Sequence, residues 1–266
     1  MYKTLSIIGK VLYFYRMILL TFNIVNPEIP FDLKEAVTEQ ELLNKKKDGT
    51  FKILHILDKY LFQATFFVEA SLVEKLPELL QTIVKKGHEL SLINKNSDQE
   101  EMEKAKLFAE EITGKRVRGL RQFPGNRLNS TIVKNLGFIY RSPIDYANIF
   151  FYKNTLEKKM AKEVDEMMLV PESVSPYSRV PYNDFTFQMI PLFFYENMIN
   201  ETLKKEDYVM VYLDSWQFVE LNHSKFGLPL YRKYNLGKQM ENKLDRFLLF
   251  LEENEWAVNR MKDFFF

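Results

Sequence analysis

Hydrophobic residues in this chain fall into two patterns, and each predicts a different kind of element. Short apolar runs bounded by polar residues or glycine predict strands buried on both faces of a parallel sheet. The longer ones cover residues 18–24 (ILLTFNI), 64–68 (ATFFV), 88–93 (HELSLI) and 209–214 (VMVYLD). Shorter ones cover residues 117–120 (VRGL), 138–140 (FIY), 167–170 (MMLV) and 256–259 (WAVN).

Apolar residues spaced three and four apart predict helices between these strands. The predicted helices cover residues 50–63, 76–87, 98–114, 129–137, 191–205 and 237–254. Local signals support several of them. Pro77 suits a first helical turn, Asp98 with Glu101 forms a capping-box pattern, and Gly114 suits a helix end. Residues 170–187 (VPESVSPYSRVPYNDFTF) are rich in proline and tyrosine, and we interpret them as a long loop.

Alternating strands and helices predict an α/β fold with a parallel sheet and helices outside. About seven such units favour a distorted (β/α) barrel of about seven parallel strands, with an open doubly wound sheet as the alternative. Both folds place functional sites at the carboxyl ends of the strands. That rule directs attention to Asn23, Asn94 and Asp214, which stand at the ends of three predicted strands.

Composition narrows the class of protein. With 266 residues and 46% hydrophobic residues, the chain can form a sizeable core, and we expect one domain over residues 1–266. The formal net charge of +1 gives no electrostatic case for binding nucleic acid. The chain has no cysteine, which excludes disulfides and thiol catalysis and is compatible with the cytoplasmic location that we expect.

The amino terminus is apolar but does not predict a membrane anchor. Lys10 and Arg16 interrupt the apolar run, so no transmembrane segment of about 18 apolar residues is present there. No small-residue cleavage site follows the run. We interpret residues 1–16 as a candidate extension in front of the first core strand, since Met17 would itself be a natural start.

The strand ends, taken in order, resemble the polysaccharide deacetylase family (carbohydrate esterase family 4), and within it the branch associated with exopolysaccharide and capsule loci. The closest stretch is ATFFVEASLVEKLPELLQTIVKKGHEL, at residues 64–90. LTFN, RGLRQFPG, LGFIYRSP, VMVYLDSWQF and the closing helix YRKYNLGKQMENKLDRFLLFL are similar to other family segments. The resemblance implies a distorted (β/α) barrel, zinc or another divalent metal as cofactor, and hydrolysis of acetyl groups on sugars.

The positions that carry the chemistry depart from the family pattern. Asn23 stands where the resemblance implies an aspartate as general base, and an amide cannot accept that proton at neutral pH. The metal-binding aspartate corresponds to Ile24 or Val25. The two metal-binding histidines fall near residues 93 and 97, which are isoleucine and serine, and the general-acid histidine corresponds to residue 214, an aspartate. Arg121 is the best surviving match.

The three histidines of the chain offer little for a rebuilt metal site. His88 opens its strand and therefore lies away from the carboxyl ends, where we expect a structural hydrogen bond. We expect His55 to pack at a helix boundary and His223 to lie in a surface loop. A hard-cation site from Asp214, Glu28 and Asp98 is a weaker alternative. We therefore expect no metal and no cofactor.

Three functions remain open at the level of sequence. The first, which we favour, is a pseudoenzyme of carbohydrate metabolism that binds a glycan or a protein of a polysaccharide pathway. The second is an active hydrolase that uses non-standard groups around Asp214 and Arg121, with Glu28 as a further candidate group. The third is a structural subunit with a filled pocket. The candidate ligand-binding residues are Asn23, Asn94, Arg121, Asp214 and Trp216. Asp214 ends a buried strand, where it either contacts a ligand or pairs with Arg121 or Arg141.

Overall fold

A computed structural model describes residues 4–7, 10–13, 16–25, 38–123, 127–144, 162–164, 167–221, 228 and 230–265. The strands are β1 (Thr4–Ile7), β2 (Lys10–Tyr13), β3 (Met17–Ile24), β4 (Thr65–Glu69), β5 (Glu89–Asn94), β6 (Gly119–Gln122), β7 (Tyr140–Pro143), β8 (Lys162–Val164), β9 (Met167–Leu169), β10 (Tyr208–Asp214) and β11 (Ala257–Asn259). The α-helices are α1 (Glu39–Lys59), α2 (Pro77–Lys85), α3 (Gln99–Thr113), α4 (Ser130–Asn135), α5 (Asp184–Met189), α6 (Leu192–Leu203) and α7 (Lys238–Glu253).

Seven parallel strands form the main sheet, in the order β10-β3-β4-β5-β6-β7-β9. They curl into a half-barrel with helices outside, which confirms the predicted (β/α) barrel class. The antiparallel strand β8 extends one edge, and β11 pairs in parallel with the first residues of β3. All carboxyl ends of the parallel strands therefore lie at one rim of the sheet.

The polypeptide after β9 runs from one edge of the half-barrel to the other. The Val170 amide still bonds to the Arg141 carbonyl beside β7. Farther along, the Met210 amide of β10 donates to the Ser173 hydroxyl, and the Tyr212 amide donates to the Tyr182 carbonyl. Because these contacts satisfy backbone groups of an edge strand, residues 170–182 complete the wall without adding a strand to the sheet.

Alternation along the strands divides the buried side chains into two cores. Phe22, Phe66 and Leu92 face the outer core, between the sheet and the helices. Phe67 and Ile93, one residue away on the same strands, face the inner core inside the half-barrel. The inner face also carries polar groups, and these form the site described below.

The structure corrects two details of the sequence interpretation, the start of the first long helix and the segment before residue 190. Helix α1 begins at Glu39, because the Thr38 side chain caps its first turn, and not near residue 50 as predicted. The segment interpreted as a loop contains α5, which begins with a capping box between Asn183 and Thr186. Within the candidate extension, β1 pairs with β2 in a separate two-stranded sheet. No helix in the described ranges is long and apolar enough to span a membrane.

Candidate functional site

Arg121 lies at the centre of the polar cluster inside the half-barrel. Its guanidinium donates to the side-chain oxygen of Asn23 (2.6 Å), the hydroxyl of Thr21 (3.1 Å) and the hydroxyl of Ser142 (3.3 Å). It also stacks on the Phe67 ring, with 3.9 Å between the guanidinium carbon and the ring centroid. Burial lowers the pKa of Arg121 to about 10, so the group is still a cation at neutral pH.

Asn23 connects this buried cation to Asp214 on the neighbouring strand. The two residues are in register on β3 and β10. The Asn23 amide nitrogen donates to Asp214 Oδ1 at 2.9 Å, while its oxygen accepts from Arg121. An amide can accept on one side and donate on the other, whereas a carboxylate has no proton to donate. Asn23 therefore serves as a neutral link between a cation and a carboxylate.

Asp214 ends β10 and is partly exposed at the rim. Trp216 Nε1 donates to its Oδ2 at 3.0 Å. The Asp214 side chain also caps the 3₁₀-helix at residues 215–218, and its own amide donates to Gln217 Oε1. Burial, followed by the nearby charge of Asp184, raises the pKa of Asp214 to about 7, although the hydrogen bonds from Asn23 and Trp216 oppose that rise.

Two residues that the sequence interpretation did not select, Asp184 and Arg232, join the cluster. Arg232 donates to Asp184 Oδ2 at 2.6 Å, and its guanidinium lies 6.0 Å from the Trp216 ring centroid. Helix α5 brings Asp184 to the rim. The pattern Asn183-x-x-Thr186 is a helix start signal that would have revealed this helix, whereas no local signal identifies Arg232.

The structure brings together four of the five predicted ligand-binding residues: Asn23, Arg121, Asp214 and Trp216. Asn94 is not among them. It follows the inward-facing Ile93 on β5 and therefore lies on the opposite face, where its side-chain oxygen accepts from the Ser97 amide.

The direct ion pair considered for Asp214 is not formed with Arg121 in the described part of the chain, because Asn23 lies between the two groups. The Asp214 carboxylate accepts hydrogen bonds from Asn23, Trp216 and the amide of Gln217. A neutral amide therefore stands where a direct contact with Arg121 was expected.

The predicted hard-cation set does not assemble within the described residues. Asp98 is exposed and caps α3 through the Glu101 amide, and Glu28 lies outside the described residues. Among the residues that the structure describes, no three or more histidine, aspartate or glutamate side chains come together in a group that could bind a metal.

The two histidines that the structure describes, His55 and His88, lie apart from the rim. His88 is buried and accepts a hydrogen bond from the Ala64 amide through Nδ1 (3.2 Å), and burial lowers its pKa to about 4. His55 is on the exposed face of α1, so the expected packing role is wrong. His223 falls outside the described residues.

The side chains at the positions implied for a metal do not fit one. Ile24 and Val25 are buried and offer no donor atom, and Ile93 is fully buried in the inner core. Ser97 donates its backbone amide to Asn94. A divalent zinc site needs about three nitrogen, oxygen or sulfur ligands that converge on one point. Neither aliphatic side chains nor the Asn23 amide, which is already bonded on both sides, supply that set.

Comparisons with known proteins agree with this architecture. Residues 16–140 match the family model described as polysaccharide deacetylase. No curated protein matches the chain.

Solved structures with the same fold share little sequence with the chain. A CE4 family pseudoenzyme from Bacillus anthracis, BA3943, is 14% identical to this chain, with a TM-score of 0.51. The match covers 94% of this chain and 65% of the BA3943 chain. A mutant of BA3943 with restored enzymatic activity gives the same TM-score at 13% identity. That match covers 94% of this chain and 67% of the mutant chain. A probable polysaccharide deacetylase from Pseudomonas aeruginosa PAO1 is 14% identical with a TM-score of 0.60, covering 94% of this chain and 90% of its own.

Proposed function

We propose that the chain, whose residues 16–140 match the polysaccharide deacetylase family model, is a non-catalytic member of that family that binds a glycan. Family membership supports carbohydrate as the ligand class. The pseudoenzyme from B. anthracis supports the view that this fold can lose its chemistry and persist. We also propose that the protein acts in the cytoplasm and binds a protein of a polysaccharide pathway.

The observation that carries the proposal is the bonding of Asn23. Metal-assisted deacetylation needs a base that takes a proton from water. The residue at that position is an amide, and both of its polar atoms are engaged, with Arg121 at 2.6 Å and Asp214 at 2.9 Å. We therefore propose that no metal is bound and that no deacetylation takes place.

An altered hydrolase is the second candidate, and one observation favours it. Asp214 is partly exposed and its pKa is raised to about 7, a value suited to a general acid or base. If Asp214 catalyses hydrolysis, the rate should fall in the Asp214→Asn variant. The wild-type rate should then change with pH near the Asp214 pKa. Glycan binding without turnover, by contrast, would leave no rate to measure.

A filled, purely structural pocket is the third candidate. Asn23, Arg121 and Trp216 are buried, so a ligand at the rim would meet Asp214 and the surrounding surface before these residues. Binding therefore discriminates between the first and third candidates. Isothermal titration calorimetry with fully acetylated chitohexaose tests this directly, and we expect saturable binding. Absence of binding at millimolar ligand would contradict the proposal and favour the structural role.

A matched pair of variants sharpens the binding test. Asp214→Asn changes the exposed polar group of the rim, whereas Asp98→Asn changes an exposed carboxylate that caps α3. We expect Asp214→Asn to weaken chitohexaose binding about tenfold, equal to about 1.4 kcal/mol, and Asp98→Asn to leave it unchanged. Equal effects of the two substitutions would place the ligand elsewhere.

A further inference from the structure

Two exposed tyrosines stand beside the rim on the segment that precedes α7. Tyr231 is 53% exposed and Tyr234 is 62% exposed, although each belongs to a segment with fixed backbone contacts. The edge-to-face contact of Tyr231 with Phe185 places its ring next to α5, at 5.7 Å between centroids. Exposed aromatic rings that are held in place bind ligands at a low cost in side-chain entropy.

A chain of side-chain amides holds this segment to the strand end. Gln217, which accepts from the Asp214 amide, donates to Gln188 Oε1 at 3.1 Å. Gln188 donates in turn to the backbone carbonyls of Arg232 (3.1 Å) and Tyr234. Backbone carbonyls on both sides of the segment are thereby fixed relative to β10, so the position of the tyrosines is set by the same residues that set Asp214.

The Arg232 side chain connects Phe185, against which Tyr231 packs, to the polar cluster. It bonds to Asp184 at 2.6 Å, lies 5.1 Å from the Phe185 ring centroid and lies 6.0 Å from the Trp216 ring centroid. Trp216 in turn bonds to Asp214. The surface therefore continues from the Asp214 carboxylate, across Arg232, to the Tyr231 ring.

We infer that Tyr231 and Tyr234 form a stacking subsite for a sugar ring of a glycan whose neighbouring residue lies against Asp214, an inference that rests on the proposed function. A pyranose ring has an apolar face of C–H groups and a polar edge of hydroxyls. Tyrosine matches both features, since its ring packs on the apolar face and its hydroxyl bonds to the edge. A subsite next to the rim selects oligosaccharides over monosaccharides.

Glycan length and three single substitutions test the subsite. The probes are N-acetylglucosamine and fully acetylated chitohexaose, titrated by calorimetry into the full chain. We expect Tyr231→Ala and Tyr234→Ala each to weaken chitohexaose binding about tenfold, which is the loss of about one stacking contact. Tyr234→Phe keeps the ring and should retain most of the affinity, which a merely polar role would not.

Tyr177→Ala is the matched control, because Tyr177 is also an exposed loop tyrosine, 72% exposed, and packs on Lys205 away from this segment. Its chitohexaose affinity should equal that of the wild type. If the wild type binds chitohexaose and the Tyr231 and Tyr234 variants bind as the control does, the subsite is refuted and the proposed function stands. If the wild type binds neither probe, both fail.

Discussion

At Asn23, one neutral amide holds two charged groups apart. Its oxygen faces Arg121 and its nitrogen faces Asp214, so a single neutral group satisfies both without joining them directly. The sequence indicated that the residue is unfit as a base. It did not indicate the linking role, because that role depends on the register of β3 against β10.

Replacing Asn23 with aspartate should raise the pKa of Asp214. The new carboxylate would accept from Arg121 and stay ionised, so Asp214 could keep its contact only as the protonated partner. We expect the pKa of Asp214 to move above the wild-type value of about 7, as followed by carbon-13 NMR titration of its carboxyl group. Asn94→Asp, on the other face of β5, is the control and should leave the Asp214 titration in place. An unchanged or lower Asp214 pKa in Asn23→Asp would contradict the link.

The raised pKa of Asp214 also predicts how stability changes with pH. Because the folded-state pKa of about 7 exceeds the ordinary value of 3.8, folding favours the protonated form. The stability contributed by this group is fully present below the lower value and is lost as pH rises through the higher one. The free energy of unfolding of the wild type, minus that of Asp214→Asn, should therefore fall across this window, approaching about 1.4 kcal/mol per pH unit.

Urea unfolding of both proteins at a series of pH values measures this difference. The asparagine of the Asp214→Asn variant can lose a hydrogen bond. That loss adds a constant to the difference in unfolding free energy, and the constant does not vary with pH. A difference that is flat between the two pKa values, or that rises with pH, would show that Asp214 is an ordinary ionised rim carboxylate.

Among the elements, α1 approaches the rim closely because of one glycine. A Cβ atom on Gly49 would lie 2.0 Å from the backbone oxygen of Ser215, in the 3₁₀-helix that follows Asp214. Backbone cannot move aside as a side chain can. The glycine thus lets α1 pack directly against the segment that supports the site, although glycine is unfavourable inside a helix.

Gly49→Ala therefore sets two opposite effects against each other. Alanine should favour the helix by about 1 kcal/mol, while overpacking against Ser215 should cost about 1–3 kcal/mol. We expect a net loss of stability in urea unfolding. Asp48→Ala, an exposed neighbour on the same helix, should change stability by less than about 0.5 kcal/mol. A stabilised Gly49→Ala protein would mean that the helix can shift without cost.

The sequence identified most elements because their hydrophobic spacing is local, and failed where a structure depends on distant contacts. The apolar run at residues 64–68 predicted strand β4 to within one residue at each end. The capping signals of Asp98 and Gly114 correctly predicted the two ends of α3. Helix α5 was missed because it has six residues and follows a proline-rich run. Without α5, nothing in the local pattern connects Asp184 and Arg232 with Asp214.

At the scale of the whole molecule, the two ends of the half-barrel have different roles. The carboxyl rim holds the candidate site, whereas the opposite end is closed by the carboxyl-terminal 3₁₀-helix at residues 261–264. The Met261 amide donates to Thr65, and the Lys262 amide donates to the buried Glu89 carboxylate at 2.9 Å. Tyr140 donates to the same carboxylate at 3.0 Å. One buried acid therefore fastens the chain terminus to the sheet.

Substitutions at Glu89 test that closure. Glu89→Gln keeps an oxygen for the Lys262 amide and lets the Tyr140 hydroxyl rotate to accept, so it should be tolerated. Glu89→Ala leaves buried donors unpaired and should cost about 2 kcal/mol or more beyond the glutamine variant. Thermal unfolding compares them. Equal stability of the two variants would show that this end is closed by packing alone.

The central claim is that the rim neither holds a catalytic metal nor removes acetyl groups. The direct measurement is metal content by mass spectrometry after incubation with zinc and dialysis, with acetate release from fully acetylated chitohexaose followed on the same sample. We expect far less than one metal ion per chain and no acetate release above that of the Asp214→Ala variant. One tightly held zinc per chain, together with acetate release that Asp214→Ala abolishes, would contradict the account.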